Sequence, residues 1–207
     1  MLLGISENRK LLEFGAMYSR RLVRTPAGVL QYNFEFLPVA LESDPVETTV
    51  VSYTSPVVTA GKYSAVPTLR CQSGSGSFDQ TMNGVTLTYT YNTTCGRQWT
   101  VGQAMSPIGL QWNFRPRKRL QPFVAGHGGF MYTTRPIPVA MAGSFNFTFD
   151  FGAGLELFRP RPQNQGRLGL QSIRLEYRYH HISNDYTAAY NPGIDNGLFQ
   201  LTWAFGR

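Results

Sequence analysis

The chain is short of most features that mark the common protein classes. It has two cysteines, Cys71 and Cys95, in 207 residues. Neither lies in a C-x-x-C pair, and no metal-ligand spacing surrounds them, so no metal or dithiol site is read from the cysteines. Charged residues are only 15% of the chain. No apolar run reaches the roughly 18 residues that a transmembrane helix needs. A secretory leader is also missing, because Met1-Leu2-Leu3 runs straight into Ser6-Glu7-Asn8-Arg9-Lys10. Either the protein is cytosolic or the recorded start lies downstream of the true one. The net charge of +7 would suit nucleic acid, but no Lys/Arg run is interleaved with a recognition helix or an aromatic RNA-binding motif. Nucleic acid is therefore not expected, and contact with an anionic lipid surface is the other basic reading.

Aromatics and glycine are abundant, with 14% Phe, Trp and Tyr and 21 glycines. That mixture suits strands joined by tight turns better than helices. The dominant pattern has period two. Residues 144–157 read SFNFTFDFGAGLEL, with Phe145, Phe147, Phe149, Phe151, Leu155 and Leu157 alternating against Asn146, Thr148, Asp150 and Glu156. A strand puts these two sets on opposite faces and a helix does not. The same alternation runs through Leu30, Tyr32, Phe34 and Phe36, through Ile108, Leu110, Trp112 and Phe114, and through Phe199, Leu201, Trp203 and Phe205.

Seven strands are expected, near 10–23, 28–41, 101–115, 119–132, 143–158, 168–183 and 197–206. Many are longer than ten residues, whereas strands of globular proteins centre on about five or six and a tilted transmembrane strand takes about nine to eleven. The links alternate between short ones at 24–27, 116–118 and 159–167 and long ones at 42–100, 133–142 and 184–196. Outer-membrane barrels have short periplasmic turns and longer extracellular loops, and their strand numbers are even. The expected fold is an all-β, eight-stranded antiparallel up-and-down transmembrane β-barrel. Its first strand would be truncated here, with residues 1–4 as its tail and a signal peptide missing from the recorded start. Residues 1–207 would be one domain, with 42–100 as an extracellular insertion carrying its own small hairpin. Cys71 and Cys95 flank the run 85–91, so a disulfide across a hairpin base is expected, with two free thiols as the alternative; a disulfide would imply an oxidising compartment. A soluble lipocalin-like barrel, with its apolar face inward, is the rival fold.

Strand 168–183 ends in His180-His181-Ile182-Ser183. Its apolar face holds Ile173, Leu175, Tyr177 and Tyr179, and continuing the alternation puts His181 and Ser183 on that face. Residues i and i+2 stand about 6.5–7 Å apart on one face. A serine hydroxyl is a weak nucleophile until a base accepts its proton, and an acid orients the imidazole. Asp195, at the start of the neighbouring last strand, is the candidate acid. The alternative is a rim His and Ser that bond headgroups or loop backbone. His180 points to the other face and His127 reads as structural. Arg174, Glu176, Arg178, Asp150, Glu156 and Glu35 read as a lumen network, since eight strands leave room only for side chains.

The segment His181-Ile182-Ser183-Asn184, followed by Asn191-Pro192-Gly193-Ile194-Asp195, resembles the active-site signature of the lipid A 3-O-deacylase family. The likeness extends to Gln121-Pro122-Phe123-Val124-Ala125-Gly126 and Phe151-Gly152-Ala153-Gly154-Leu155, and covers about the last ninety residues well. The resemblance implies His181 as general base, Ser183 as nucleophile, Asn184 in the oxyanion hole and Asn191 as a supporting asparagine. It implies a Gram-negative outer-membrane esterase acting on lipid A of lipopolysaccharide, surrounded by outer-membrane lipid, without metal or organic cofactor, and with a homodimer as an open expectation. The family's acid is glutamate where this chain has Asp195, and Pro192 is a second difference. A catalytically inactive structural or adhesion-type barrel is the rival function.

Overall fold

Alternating apolar and polar residues with no intervening helix signal build a single antiparallel sheet. The computed structural model describes residues 9–54, 59–159 and 169–206. Among the described residues nine strands occur in the order β1 (Lys10–Arg24), β2 (Gly28–Thr54), β3 (Thr59–Pro67), β4 (Gly74–Met82), β5 (Val85–Phe114), β6 (Leu120–Thr133), β7 (Phe145–Phe158), β8 (Gly169–Ser183) and β9 (Ile194–Gly206). Seven of them form one hydrogen-bonded path, β1-β2-β5-β6-β7-β8-β9. No helix among the described residues is long and apolar enough to cross a membrane.

The path is curled into a barrel, because side chains meet across it. Arg178 of β8 binds Glu35 of β2 through two contacts of 2.8 Å. Arg174 of β8 reaches Met17 of β1, and Gln200 of β9 reaches Glu35. The seven barrel strands expected from the sequence are present, and the strand count among the described residues is nine because β3 and β4 lie off the barrel path. Among the described residues no ladder joins β1 to β9. Residues 1–4, expected as the tail of a further strand, lie outside the described residues.

The difference in count comes from 42–100. β2 runs for 27 residues and β5 for 30, so the two continue together well past the barrel. β3 pairs with the outer part of β2, and β4 with the outer part of β5. The result is a four-stranded sheet standing on one end of the barrel. Its β4–β5 turn is Asn83-Gly84, with φ of 51° and 77°. Positive φ at both positions is the type I′ geometry that matches strand twist, and Asn-Gly is the pair that best tolerates it. Cys71, just before β4, is disulfide-bonded to Cys95 of β5 at the base of this hairpin.

The barrel is apolar outside and charged inside. Outward positions Phe145, Phe147, Phe149, Phe151, Leu155 and Leu157 of β7 are all exposed, as are Phe199, Leu201, Trp203 and Phe205 of β9. A Lys or Arg on a lipid-facing strand costs about 2–4 kcal/mol at the bilayer midplane, and these stripes contain none. The inward face buries Glu35, Asp150, Glu156, Arg174, Glu176, Arg178 and His180. These charges survive burial because they are paired. Arg178 Nε lies 2.9 Å from Glu176, His127 Nδ1 is 2.7 Å from Asp150 Oδ1, and Ser172 donates to Glu156 at 2.6 Å. Small inward residues make the room. A Cβ at Gly154 would lie 2.5 Å from the Phe123 ring, the ring that Arg174 caps at 5.1 Å. Towards the extended end, the lumen is closed by an apolar plug of Ala40, Ala104, Met131, Ile137, Ile182 and Ile194.

Candidate active site

β8 alternates without a break. Ser172, Arg174, Glu176, Arg178, His180 and Ile182 are buried, while Ile173, Leu175 and Tyr177 are exposed. His181 and Ser183 therefore sit on the outward face, on the last residues of the strand. His180, one residue away, faces the lumen and approaches Asp150. His127 is buried against the same Asp150.

The β8–β9 register sets Asp195 directly opposite His181, one step from the Ile182–Ile194 pair. Partners in an antiparallel ladder share a face. Asp195 Oδ1 lies 2.8 Å from His181 Nδ1. A carboxylate only accepts, so Nδ1 carries the proton and Nε2 is left as the acceptor. Asp195 is outward by register yet only 3% exposed. On the other side of β8, Phe149 pairs with His181 and Phe147 with Ser183. The site is thus walled on one side by the lipid-facing Phe stripe.

The loop places the remaining groups. Ser183 Oγ is 3.1 Å from Asn191 Oδ1 and 2.9 Å from Asn191 Nδ2. The Asn184 N–H donates to Asn191 Oδ1, which orients the amide oxygen towards it and leaves Nδ2 to donate to Ser183. The Asp185 N–H also donates to Ser183 Oγ, at 3.2 Å. Asn184 is 1% exposed, and its side chain is spent inside the loop. Its Nδ2 donates to Tyr190 O and its Oδ1 accepts from the Tyr186 N–H. These bonds hold a sharp loop in which Asp185 and Tyr186 have φ of 47° and 57°, a backbone region that costs non-glycine residues energy.

One further cluster has the chemistry of a cation site. The ligand atoms of Glu35, His127 and Asp150 lie within 4.8 Å of one another in the lumen. The Arg178 guanidinium is 2.8 Å from Glu35 and 3.7 Å from Asp150, so it already neutralises that cluster. The groups that sequence reasoning missed are the backbone donor at Asp185 and the Phe147–Phe149 wall. The wall was accessible from the β7 alternation once the register with β8 was known.

An antiparallel up-and-down barrel, apolar outside, charged inside and carrying polar groups at one rim, defines the class of outer-membrane β-barrel proteins. Within it, the family model described as lipid A 3-O-deacylase (PagL) matches residues 65–204, and the chain belongs to that family. The match starts inside the extended sheet, so it reaches well beyond the last ninety residues. Comparisons with curated proteins and with solved structures gave no match. Family membership makes lipid A deacylation the activity at family level and lipid A the implied substrate. The homodimer expectation receives no support.

Proposed function

We propose that the protein hydrolyses an ester-linked acyl chain of lipid A through Ser183, His181 and Asp195. The observation that carries this reading is the His181–Asp195 pair at 2.8 Å, on the outward face of the rim where β8 also carries Ser183, two residues on from His181. Ser183 Oγ attacks the acyl carbonyl carbon while His181 Nε2 takes its proton. Asp195 accepts from Nδ1–H and stabilises the imidazolium that forms. The tetrahedral oxyanion is met by donors already gathered at Ser183, the Asn191 Nδ2 group and the Asp185 N–H. Asn184 acts by holding the loop that aims those donors. Collapse of the intermediate breaks the bond from the acyl carbon to the sugar oxygen, which takes the proton from His181 and leaves as the hydroxyl, and an acyl-serine remains. Water then attacks the acyl carbon as His181 takes its proton, the bond to Ser183 Oγ breaks with return of that proton to the serine, and the fatty acid leaves.

The outward placement suits a substrate that is itself a membrane lipid. The long-loop end is the extracellular one in this reading, so the rim lies at the outer leaflet. The scissile ester reaches the triad from the side, and its acyl chain runs down the Phe147–Phe149–Phe151 stripe. The test is mass spectrometry of lipid A from cells carrying the wild-type chain or Ser183→Ala. Loss of one acyl chain only with the wild type is the expected result. Identical acylation in both would favour the rival, a barrel without catalysis, for which the aspartate at 195 is the motivating difference.

A further inference from the structure

The opposite end of the barrel holds a basic cavity beside the lipid-facing surface. Two short turns lie side by side there, since Gly28 pairs with Phe114. Between them is a cavity of about 640 Å³ lined by Pro26, Arg115, Pro116, Arg117, Lys118, Arg119, Leu120 and Pro122. That volume is within the range of about 300–1,000 Å³ typical of small-molecule sites. The lining is divided by chemistry. Four cations come from the β5–β6 turn, while Pro26, Pro116, Leu120 and Pro122 supply an apolar wall. Leu120 and Val124 lie on the outward face of β6 and are exposed, so the wall continues into the lipid-facing surface.

The charge around this cavity is of one sign. Residues 14–34, 80–149 and 157–175 contain no Asp or Glu. These stretches include all three short connections. Arg20, Arg21, Arg24 and Arg159 add to the four cations of the cavity, and all four are exposed. The acidic residues of the barrel are instead inside it or at the far rim. The positive excess of the chain is therefore concentrated in a ring at the short-turn end.

We propose that this cavity binds an anionic phospholipid of the adjoining leaflet, its phosphate held by Arg115, Arg117, Lys118 and Arg119 and its first acyl segment against Leu120 and Pro122. A basic ring attracts an anionic membrane surface, and guanidinium forks match phosphate oxygens. The apolar wall selects a lipid over a soluble phosphate. The cavity is at the opposite end from Ser183, so the inference stands apart from the deacylase reading.

The test is native mass spectrometry of the detergent-purified full chain with phosphatidylglycerol, phosphatidylcholine, or glycerol phosphate as the chain-free headgroup. The wild type is expected to retain phosphatidylglycerol at collision energies that strip phosphatidylcholine, and glycerol phosphate should not displace it. Arg117→Gln/Lys118→Gln/Arg119→Gln should weaken phosphatidylglycerol retention by about tenfold or more, since each basic residue near an anionic surface contributes several-fold. Arg135→Gln, at the long-loop end, should leave it unchanged. Heat-modifiable migration of each variant in gels reports that the barrel has folded. Equal retention of both lipids by the wild type, displacement by glycerol phosphate, or full retention in the folded triple variant would overturn the proposal.

Discussion

Asp195 stands directly across the β8–β9 ladder from His181, with its Oδ1 2.8 Å from the imidazole Nδ1. Strand pairing, not loop conformation, fixes that distance. Asp195→Asn keeps the shape but replaces an obligate acceptor with a group that can present its N–H₂ to the ring, favouring the wrong tautomer. A fall of about 10³–10⁴ in kcat is expected, read from release of fatty acid from purified lipid A. Asp195→Glu places the family's usual residue on the same register position and is expected to stay within about tenfold of the wild type.

Asn191 bonds Ser183 Oγ and the Asn184 N–H at once. Asn191→Asp keeps the acceptor for Asn184 but loses the donor to the serine and adds charge beside the developing oxyanion. Its kcat should fall by about 10²–10³, the loss seen when one oxyanion donor is removed, with KM nearly unchanged. A fall in kcat matched by an equal rise in KM would assign Asn191 to substrate binding instead.

Glu42 lies on β2 above the apolar plug, beyond the segment that crosses the membrane, and is 1% exposed. Burial, reinforced by the neighbouring Asp44 carboxyl, pushes it up to about 9, against the opposing pull of Arg9 and Arg97. The native state therefore holds a proton that the unfolded chain releases near its ordinary value of 4.5. Stability from this group is fully present below pH 4.5 and is lost as pH rises towards 9. Glu42→Gln, permanently neutral, should show a flatter decline in melting temperature between pH 5 and 9, followed by circular dichroism in detergent. Parallel curves for both proteins would show that Glu42 does not carry the pH dependence.

The Cys71–Cys95 disulfide closes a segment with a sequence separation of 24 residues. A loop of that size contributes about 3 kcal/mol in the chain-entropy view, and here the contribution acts on the β4–β5 hairpin. Cys71→Ser/Cys95→Ser should become cleavable by added protease within 68–95, while the barrel strands stay protected. Protection equal to that of the wild type would mean that strand pairing alone secures the hairpin.

The seven barrel strands are legible in the sequence because one face must meet lipid and the other a charged lumen. The contrast between Phe147 and Asn146, or Leu175 and Arg174, is then forced. Extension of β2 and β5 through 42–100 escapes the same reasoning. Val50-Val51-Ser52-Tyr53-Thr54 and Thr86-Leu87-Thr88-Tyr89-Thr90 mix hydroxyls and apolar groups with both faces in water, so no sustained contrast marks the face. The His181–Asp195 pairing is legible because it needs only alternation and strand adjacency. The role of Asn184 is not, because its burial depends on hydrogen bonds to Tyr186 and Tyr190 across a loop with no periodicity.

The Asn83-Gly84 turn closes the outer tip of the tall sheet, where a Cβ added at Gly84 would meet no atom within 4 Å. β5 alone, at about 3.3 Å per residue, is about three times as long as the hydrocarbon layer is thick. Most of the hairpin therefore stands clear of the bilayer, as a mast above the deck of the barrel. A short peptide spliced between Asn83 and Gly84 would be carried aloft by it, visible to antibodies on whole cells and remote from every group that binds lipid.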